Sequence, residues 1–240
     1  MLKILYQDDH YVAVYKPAGL LVHRTGLARE SDAALQRLRD QLGRVVYPVH
    51  RLDRATAGVL VFALSREAMS SLMARFEAGE VEKSYLAVVR GYTPESGCIE
   101  RPLKLEKGVE RTQPARTDYR RLATVELPIP VARYPAARYS LVEVFPRTGR
   151  YHQIRRHCNG ESHPVVGDTT HGDSDHNRLF RQHFNCHRLL LLARSLVFNH
   201  PGTGETITIR AEPDAEWQAL MARLGWSGDC PGMAGQEQKR

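Results

Sequence analysis

His50-Arg51-Leu52-Asp53-Arg54-Ala55-Thr56-Ala57-Gly58-Val59-Leu60 is the stretch on which the reading of this chain turns. An acid set between two arginines is held ionised by the opposite charges. It leads directly into Val59–Leu64, a short apolar run that reads as a buried strand. Ala57-Gly58 leaves space for a second backbone or a ligand to come close. On charge pattern alone, a surface ion pair at a strand start would fit as well.

Outward from there, Tyr11–Tyr15, Ser84–Val89, Tyr139–Phe145 and Leu189–Phe198 also read as strands. Three helices are expected. Ser31 caps one with Ala34, Leu35, Leu38 and Leu42 on a common face and Gly43 at its end. Ser65 caps a second, with Met69, Leu72, Met73 and Phe76 inward and Gly79 closing it. Asp214 caps a third, with Trp217, Leu220, Met221 and Leu224 inward and Gly225 closing it. Strands outnumber helices without regular alternation, which predicts an α+β fold with a mixed, largely antiparallel sheet. Glu106–Pro114 reads as a polar loop. A single domain over 1–228 and a disordered tail over 229–240 are expected.

The chain has 240 residues and a net charge of +7. From Arg133 to His157 six arginines (133, 138, 147, 150, 155 and 156) face one acid, Glu143. That suits a polyanionic partner, and equally a solvated basic face. No apolar run is long enough for a membrane span, and the first residues do not read as a signal peptide. The cysteines at 98, 158, 186 and 230 form no CxxC pair, so free thiols in a reducing compartment, the cytoplasm, are expected. Seven of the eleven histidines fall between His152 and His187, but without metal-ligand spacing, and no metal is expected.

Other segments join the Asp53 stretch in a fixed order. Tyr15-Lys16-Pro17-Ala18-Gly19-Leu20-Leu21-Val22-His23 precedes it, and Lys83-Ser84-Tyr85-Leu86 follows. Then come Thr148-Gly149-Arg150-Tyr151-His152-Gln153-Ile154-Arg155-Arg156-His157, His163-Pro164-Val165-Val166-Gly167-Asp168 and Arg188-Leu189-Leu190-Leu191-Leu192-Ala193. Together these resemble the RluA family of pseudouridine synthases over roughly residues 3–210. The resemblance implies the pseudouridine synthase fold, with flanking helices and a central cleft. It implies Asp53 as nucleophile, Tyr85 as the ring that stacks on the target base, and Arg155 as the partner of Asp53. Arg51, Arg54, Arg150, His152, Gln153 and Lys16 are expected to bind substrate; Lys16-Pro17 also reads as a turn that ends a strand.

The implied reaction breaks the N1–C1′ bond of uridine, turns the base, and joins C5 to C1′. Nothing is oxidised, so no cofactor is expected; a carboxylate can serve as nucleophile or base. The partner is RNA. The stretches Leu122–Pro128, Arg133-Tyr134-Pro135, Arg155-Arg156-His157 and His171-Gly172-Asp173 are most similar to family members that modify uridine 65 of tRNA, and a monomer is expected. A ribosomal-RNA enzyme of the same chemistry is the alternative. So is a non-catalytic RNA-binding protein, against which intact Asp53, Tyr85 and Arg155 argue. His171-Gly172 stands where many relatives have Tyr-Gly, and Thr56-Ala57-Gly58 where Thr-Ser-Gly is usual.

Overall fold

The computed structural model describes residues 1–23, 32–105 and 111–226. In chain order the elements begin β1 (Ile4–Gln7), β2 (Tyr11–Lys16), α1 (Ala34–Leu42), β3 (Tyr47–Pro48), β4 (Ala57–Ala63), α2 (Arg66–Ala78) and β5 (Glu82–Arg90). They continue with β6 (Ser96–Glu100), β7 (Leu103–Lys104), β8 (Thr112–Gln113), β9 (Arg116–Leu127) and β10 (Ala137–Pro146). The last are α3 (Gln153–Gly160), α4 (Ser174–Phe184), β11 (Leu191–Asn199), β12 (Thr206–Arg210) and α5 (Ala215–Arg223).

The expected strands are β2, β4, β5, β10 and β11, and the expected helices α1, α2 and α5. Ser65 caps α2 by accepting the Ala68 N–H, and Asp214 caps α5 by accepting that of Trp217. Ala33 is the N-cap of α1; the expected cap, Ser31, lies outside the described residues, as do 106–110 and the tail from 227. The rest of the expected 106–114 loop carries β8, which pairs with β7. Met73 is exposed rather than inward, so the buried face of α2 is Ala68 and Leu72.

The chain divides into two compact units. The first holds Met1–Tyr85 and Leu191–Glu212. Its strands run in the order β1-β2-β4-β11, with β12 on β11 and β3 on β4. All these pairs are antiparallel except β4–β11, which is parallel, so the sheet is mixed as expected. Every residue of β4 is buried, because both of its faces are covered. Leu60 and Phe62 join Val12, Val14 and the α1 residues Ala34 and Leu38 in one apolar cluster. Val59, Val61 and Ala63 join Tyr11, Ala13 and the α2 residues Ala68 and Leu72 in another. Each large side chain so buried contributes about 1.5–3 kcal/mol.

The second unit holds Leu86–Leu190 and the chain from Pro213. Its strand order is β5-β10-β9-β6. The β9–β10 hairpin is antiparallel from Ala137↔Leu127 to Pro146↔Thr117, with a register shift at Leu141/Val142. Buried Tyr139 on β10 meets α4 through its hydroxyl, 2.8 Å from His176 Nδ1, and through edge contact with Phe180.

The parallel β4–β11 pairing depends on one glycine. Gly58 has φ +116°, and a Cβ there would lie 2.1 Å from the Ala193 carbonyl oxygen. The space that the sequence reserved at Ala57-Gly58 is therefore filled by the β11 backbone. Gly58→Ala is expected to cost about 3 kcal/mol or more, from backbone strain plus the clash. Denaturant unfolding checks this; a midpoint equal to that of the parent would show that β11 yields at no cost.

Candidate active site

Asp53 lies in the turn before β4, half-buried, between exposed Arg51 and Arg54. The turn is closed by the Thr56 N–H, which donates to the Asp53 carbonyl at 3.1 Å. Leu52 anchors it in the cluster that also holds Leu60 and Phe62, against which Tyr85 packs. Arg54 ties the turn to the Pro17–Leu20 segment. Its carbonyl accepts the Gly19 N–H at 2.8 Å, and its Nε donates to the Gly19 carbonyl at 2.9 Å. Two motifs some 35 residues apart in sequence are thus joined by reciprocal hydrogen bonds.

Lys16 completes that junction. Its side chain is wholly buried, and Nζ donates to the carbonyls of Pro17 (3.0 Å), Leu20 (2.8 Å) and Arg54 (3.0 Å). The ammonium thus meets carbonyls of the Pro17–Leu20 loop and of the Asp53 turn, which fits the reading of Lys16-Pro17 as a strand-ending turn. His50 has a comparable role. Its Nε2 accepts the Val61 N–H at 3.0 Å, and its ring stacks on Phe76. Burial, and then the nearby Lys83 charge, push the imidazole down to about 4. His50 is therefore neutral at physiological pH, as an acceptor must be.

Tyr85, at the end of the first unit's N-terminal segment, is half-buried. Burial, and then the charge of Asp53, push its phenol well above the ordinary range, so the hydroxyl stays protonated. Asp53 and Tyr85 are thus within electrostatic reach of one another.

The remaining expected site residues lie in the second unit, around the start of α3. His152 adopts the left-handed conformation (φ +50°) immediately before the helix. Gln153 is buried; its Oε1 accepts from the Thr148 hydroxyl (2.7 Å) and the Arg150 N–H (3.0 Å). Its Nε2 donates to the Arg116 carbonyl (2.9 Å) and Thr117 Oγ1 (3.0 Å). Its amide thus ties the 148–153 turn to the start of β9. Arg150 is exposed, with Nε on the Pro114 carbonyl at 3.1 Å.

Arg155 is buried on α3 and grips Asp168 through two bonds, Nε–Oδ2 at 2.7 Å and Nη2–Oδ1 at 2.8 Å. Burial works to raise the Asp168 pKa, but Arg155 and the N–H groups of His171 and Thr170 outweigh it, and the carboxyl ends below its ordinary value. Asp168 has no assigned role in the sequence reading: it lies thirteen positions after Arg155, and no local pattern connects the two.

The basic stretch carries less open charge than its composition suggests. Arg138 pairs with Glu126, Arg147 with Asp118 and Arg155 with Asp168. The histidine-rich stretch is mostly internal bonding. His157 bridges Thr117 and the Arg101 carbonyl, His163 binds the Arg90 carbonyl, and His176 meets Tyr139. Among the described residues the group spaced to hold a metal lies elsewhere, at Asp8, His10 and His200. There His200 Nδ1 accepts N–H bonds from Gly202 and Thr203, at 3.1 and 3.0 Å. Its neutral form must then carry its proton on Nε2, which faces Asp8 at 3.4 Å. A ligating Nε2 would instead need a proton on Nδ1. The cluster fits a pinned turn better than a metal site.

Residues 10–160 match the family model described as RNA pseudouridylate synthase. The chain is 50% identical to tRNA pseudouridine synthase C of Vibrio cholerae, over 94% of this chain and 97% of that protein. It is 49% identical to tRNA pseudouridine synthase C of Pectobacterium carotovorum, over 99% of this chain and 66% of that protein's length. Among solved structures, human RNA pseudouridylate synthase domain containing 1 aligns with a TM-score of 0.70 at 28% identity, covering 89% of this chain and 84% of that one.

The Arg155–Asp168 pair and the Arg147–Asp118 pair should differ sharply in weight. Side-chain exposure is 6% and 1% for the first, and 57% and 21% for the second. Asp168→Asn removes the carboxylate charge that the buried guanidinium grips and is expected to cost about 3–5 kcal/mol. Arg147→Gln, in solvent, is expected to cost under about 1 kcal/mol. Paired denaturation curves check this, and equal losses would refute the ranking.

Proposed function

This chain belongs to the RNA pseudouridylate synthase family, and from that premise we propose that it isomerises a uridine of tRNA, the one at position 65, with Asp53 as nucleophile. The reaction breaks N1–C1′ and forms C5–C1′; C5 gives up its proton and N1 gains one, so the atoms balance without an oxidant or a cofactor. Asp53 supplies the anionic oxygen. Tyr85 offers a flat, neutral ring on which the turned-out base can stack, returning roughly 1–3 kcal/mol of the cost of leaving the helix. Arg155 is assigned to pair with the Asp53 carboxylate, as the family resemblance implies. Exposed Arg51, Arg54 and Arg150, and His152, are assigned to the substrate RNA, the arginines to its phosphates. The enzyme is taken to work as a cytoplasmic monomer; no helix among the described residues is long and apolar enough to cross a membrane.

The observation that carries the assignment is the electrostatic reach of Asp53 to Tyr85, the two residues that the family resemblance also singles out. The tRNA substrate rests on the names of the curated relatives. The test is pseudouridine formation in unmodified tRNA and ribosomal RNA transcripts by the parent and by Asp53→Asn. The parent is expected to act on tRNA at position 65, and Asp53→Asn to bind RNA within about threefold yet form no product. Product from Asp53→Asn above trace would remove Asp53 as nucleophile. Product in ribosomal RNA alone would overturn the tRNA assignment.

A further inference from the structure

Tyr151 is one of the most exposed large side chains among the described residues, at 57% of its full surface. It is nevertheless held in one orientation. Its ring stacks on His152, with centroids 3.8 Å apart and planes 20° from parallel. His152 is fixed from the other side, Nδ1 lying 3.0 Å from His171 Nε2. The His171 backbone N–H donates to Asp168 Oδ1 at 2.9 Å, and Asp168 holds Arg155. A chain of contacts thus runs from Arg155 through Asp168, His171 and His152 to the Tyr151 ring. An aromatic ring braced in this way and left open to solvent contributes little to the core. Two cations lie close to it along the chain. Arg150 is exposed next to it in sequence, and Arg156 bonds the Tyr151 carbonyl (3.3 Å) and that of Lys104 (2.9 Å).

We infer that Tyr151 is a stacking platform for a second nucleobase of the substrate RNA, one that flanks the uridine to be isomerised. This rests on the RNA-modifying function proposed above. An RNA base offers a flat face that any aromatic ring can accept, and the neighbouring arginines suit the phosphates on either side of it. The His152–His171 bond sets where the platform stands relative to Arg155. His171, which stands where many relatives have Tyr, so acquires a role: it is a positioning residue for the platform. Stacking pre-ordered in this way adds affinity without touching the reacting atoms, so its loss should appear in KM and leave kcat nearly intact.

The experiment measures kcat and KM for the parent, Tyr151→Phe, Tyr151→Leu, Tyr151→Ala and His171→Ala, on whichever of the tRNA or ribosomal RNA transcripts the parent modifies. Tyr151→Phe keeps the flat face and should match the parent within about twofold. Tyr151→Ala should raise KM roughly 5- to 150-fold, the range for losing one base stack. Tyr151→Leu, apolar but not flat, should resemble Ala, and His171→Ala should give a smaller rise. Parent-like KM for both Ala and Leu, or a Phe variant as weak as Ala, would overturn the platform. A parent that modifies neither RNA would defeat the proposed function. Dissociation constants for the same transcripts then decide the platform separately, with Phe matching the parent and Leu and Ala weaker if it stands, and all five proteins equal if it does not.

Discussion

A buried ammonium group sets the geometry on which the Asp53 region depends. Lys16 ends β2 with no exposed surface, and a charge out of water is tolerable only with strong acceptors around it. Those acceptors are the main-chain carbonyls of Pro17, Leu20 and Arg54. Supplying them forces the chain after β2 to curl back and the turn before β4 to close over it. The reciprocal bonds between Gly19 and Arg54 follow from the same closure. Asp53 therefore sits in a turn fastened on both sides: to the sheet by Leu52, and to the Pro17–Leu20 segment by Arg54.

The second unit solves a similar problem by different means. Arg155 is also buried, but its neutralising partner is a carboxylate, which is itself fixed by the N–H groups of Thr170 and His171. A guanidinium clamped by a fork presents its remaining edge in a fixed direction, where a lysine on carbonyls presents nothing. The two buried cations thus do different work. Lys16 shapes a loop, and Arg155 is locked to Asp168, whose network extends through His171 and His152 to Tyr151.

Much of this was legible in the sequence where burial is apolar. β2, β4 and the helices α1, α2 and α5 announce themselves through Val, Leu and Ala at regular spacing and through Ser65 and Asp214 at the caps. The helices α3 and α4 did not. The buried face of α3 is Ile154, Arg155, His157 and Cys158, and that of α4 includes His176 and Asn177. Polar residues at core positions hide the helical stripe. β9 was missed for the opposite reason: its alternation is weak because much of the strand is only partly covered. At the site, motif and resemblance single out Asp53 and Tyr85. The partners of Gln153, Asp168 and His171 are not legible, since folding brings them near. Charge invites an RNA-facing reading of Lys16, while its complete burial suits the strand-ending turn that Lys16-Pro17 also suggests.

The most direct test of the closure around Lys16 is the turnover of Lys16→Met on the RNA that the parent modifies, read beside its affinity for that RNA. Methionine keeps the length of the side chain and removes the ammonium that draws the three carbonyls together. With Asp53 no longer fastened, kcat is expected to fall about 100-fold, the scale for a reacting group displaced by an ångström, with the dissociation constant changed less than about threefold. A Lys16→Met protein that turns over at the parent's rate would contradict the dependence of Asp53 on that buried charge.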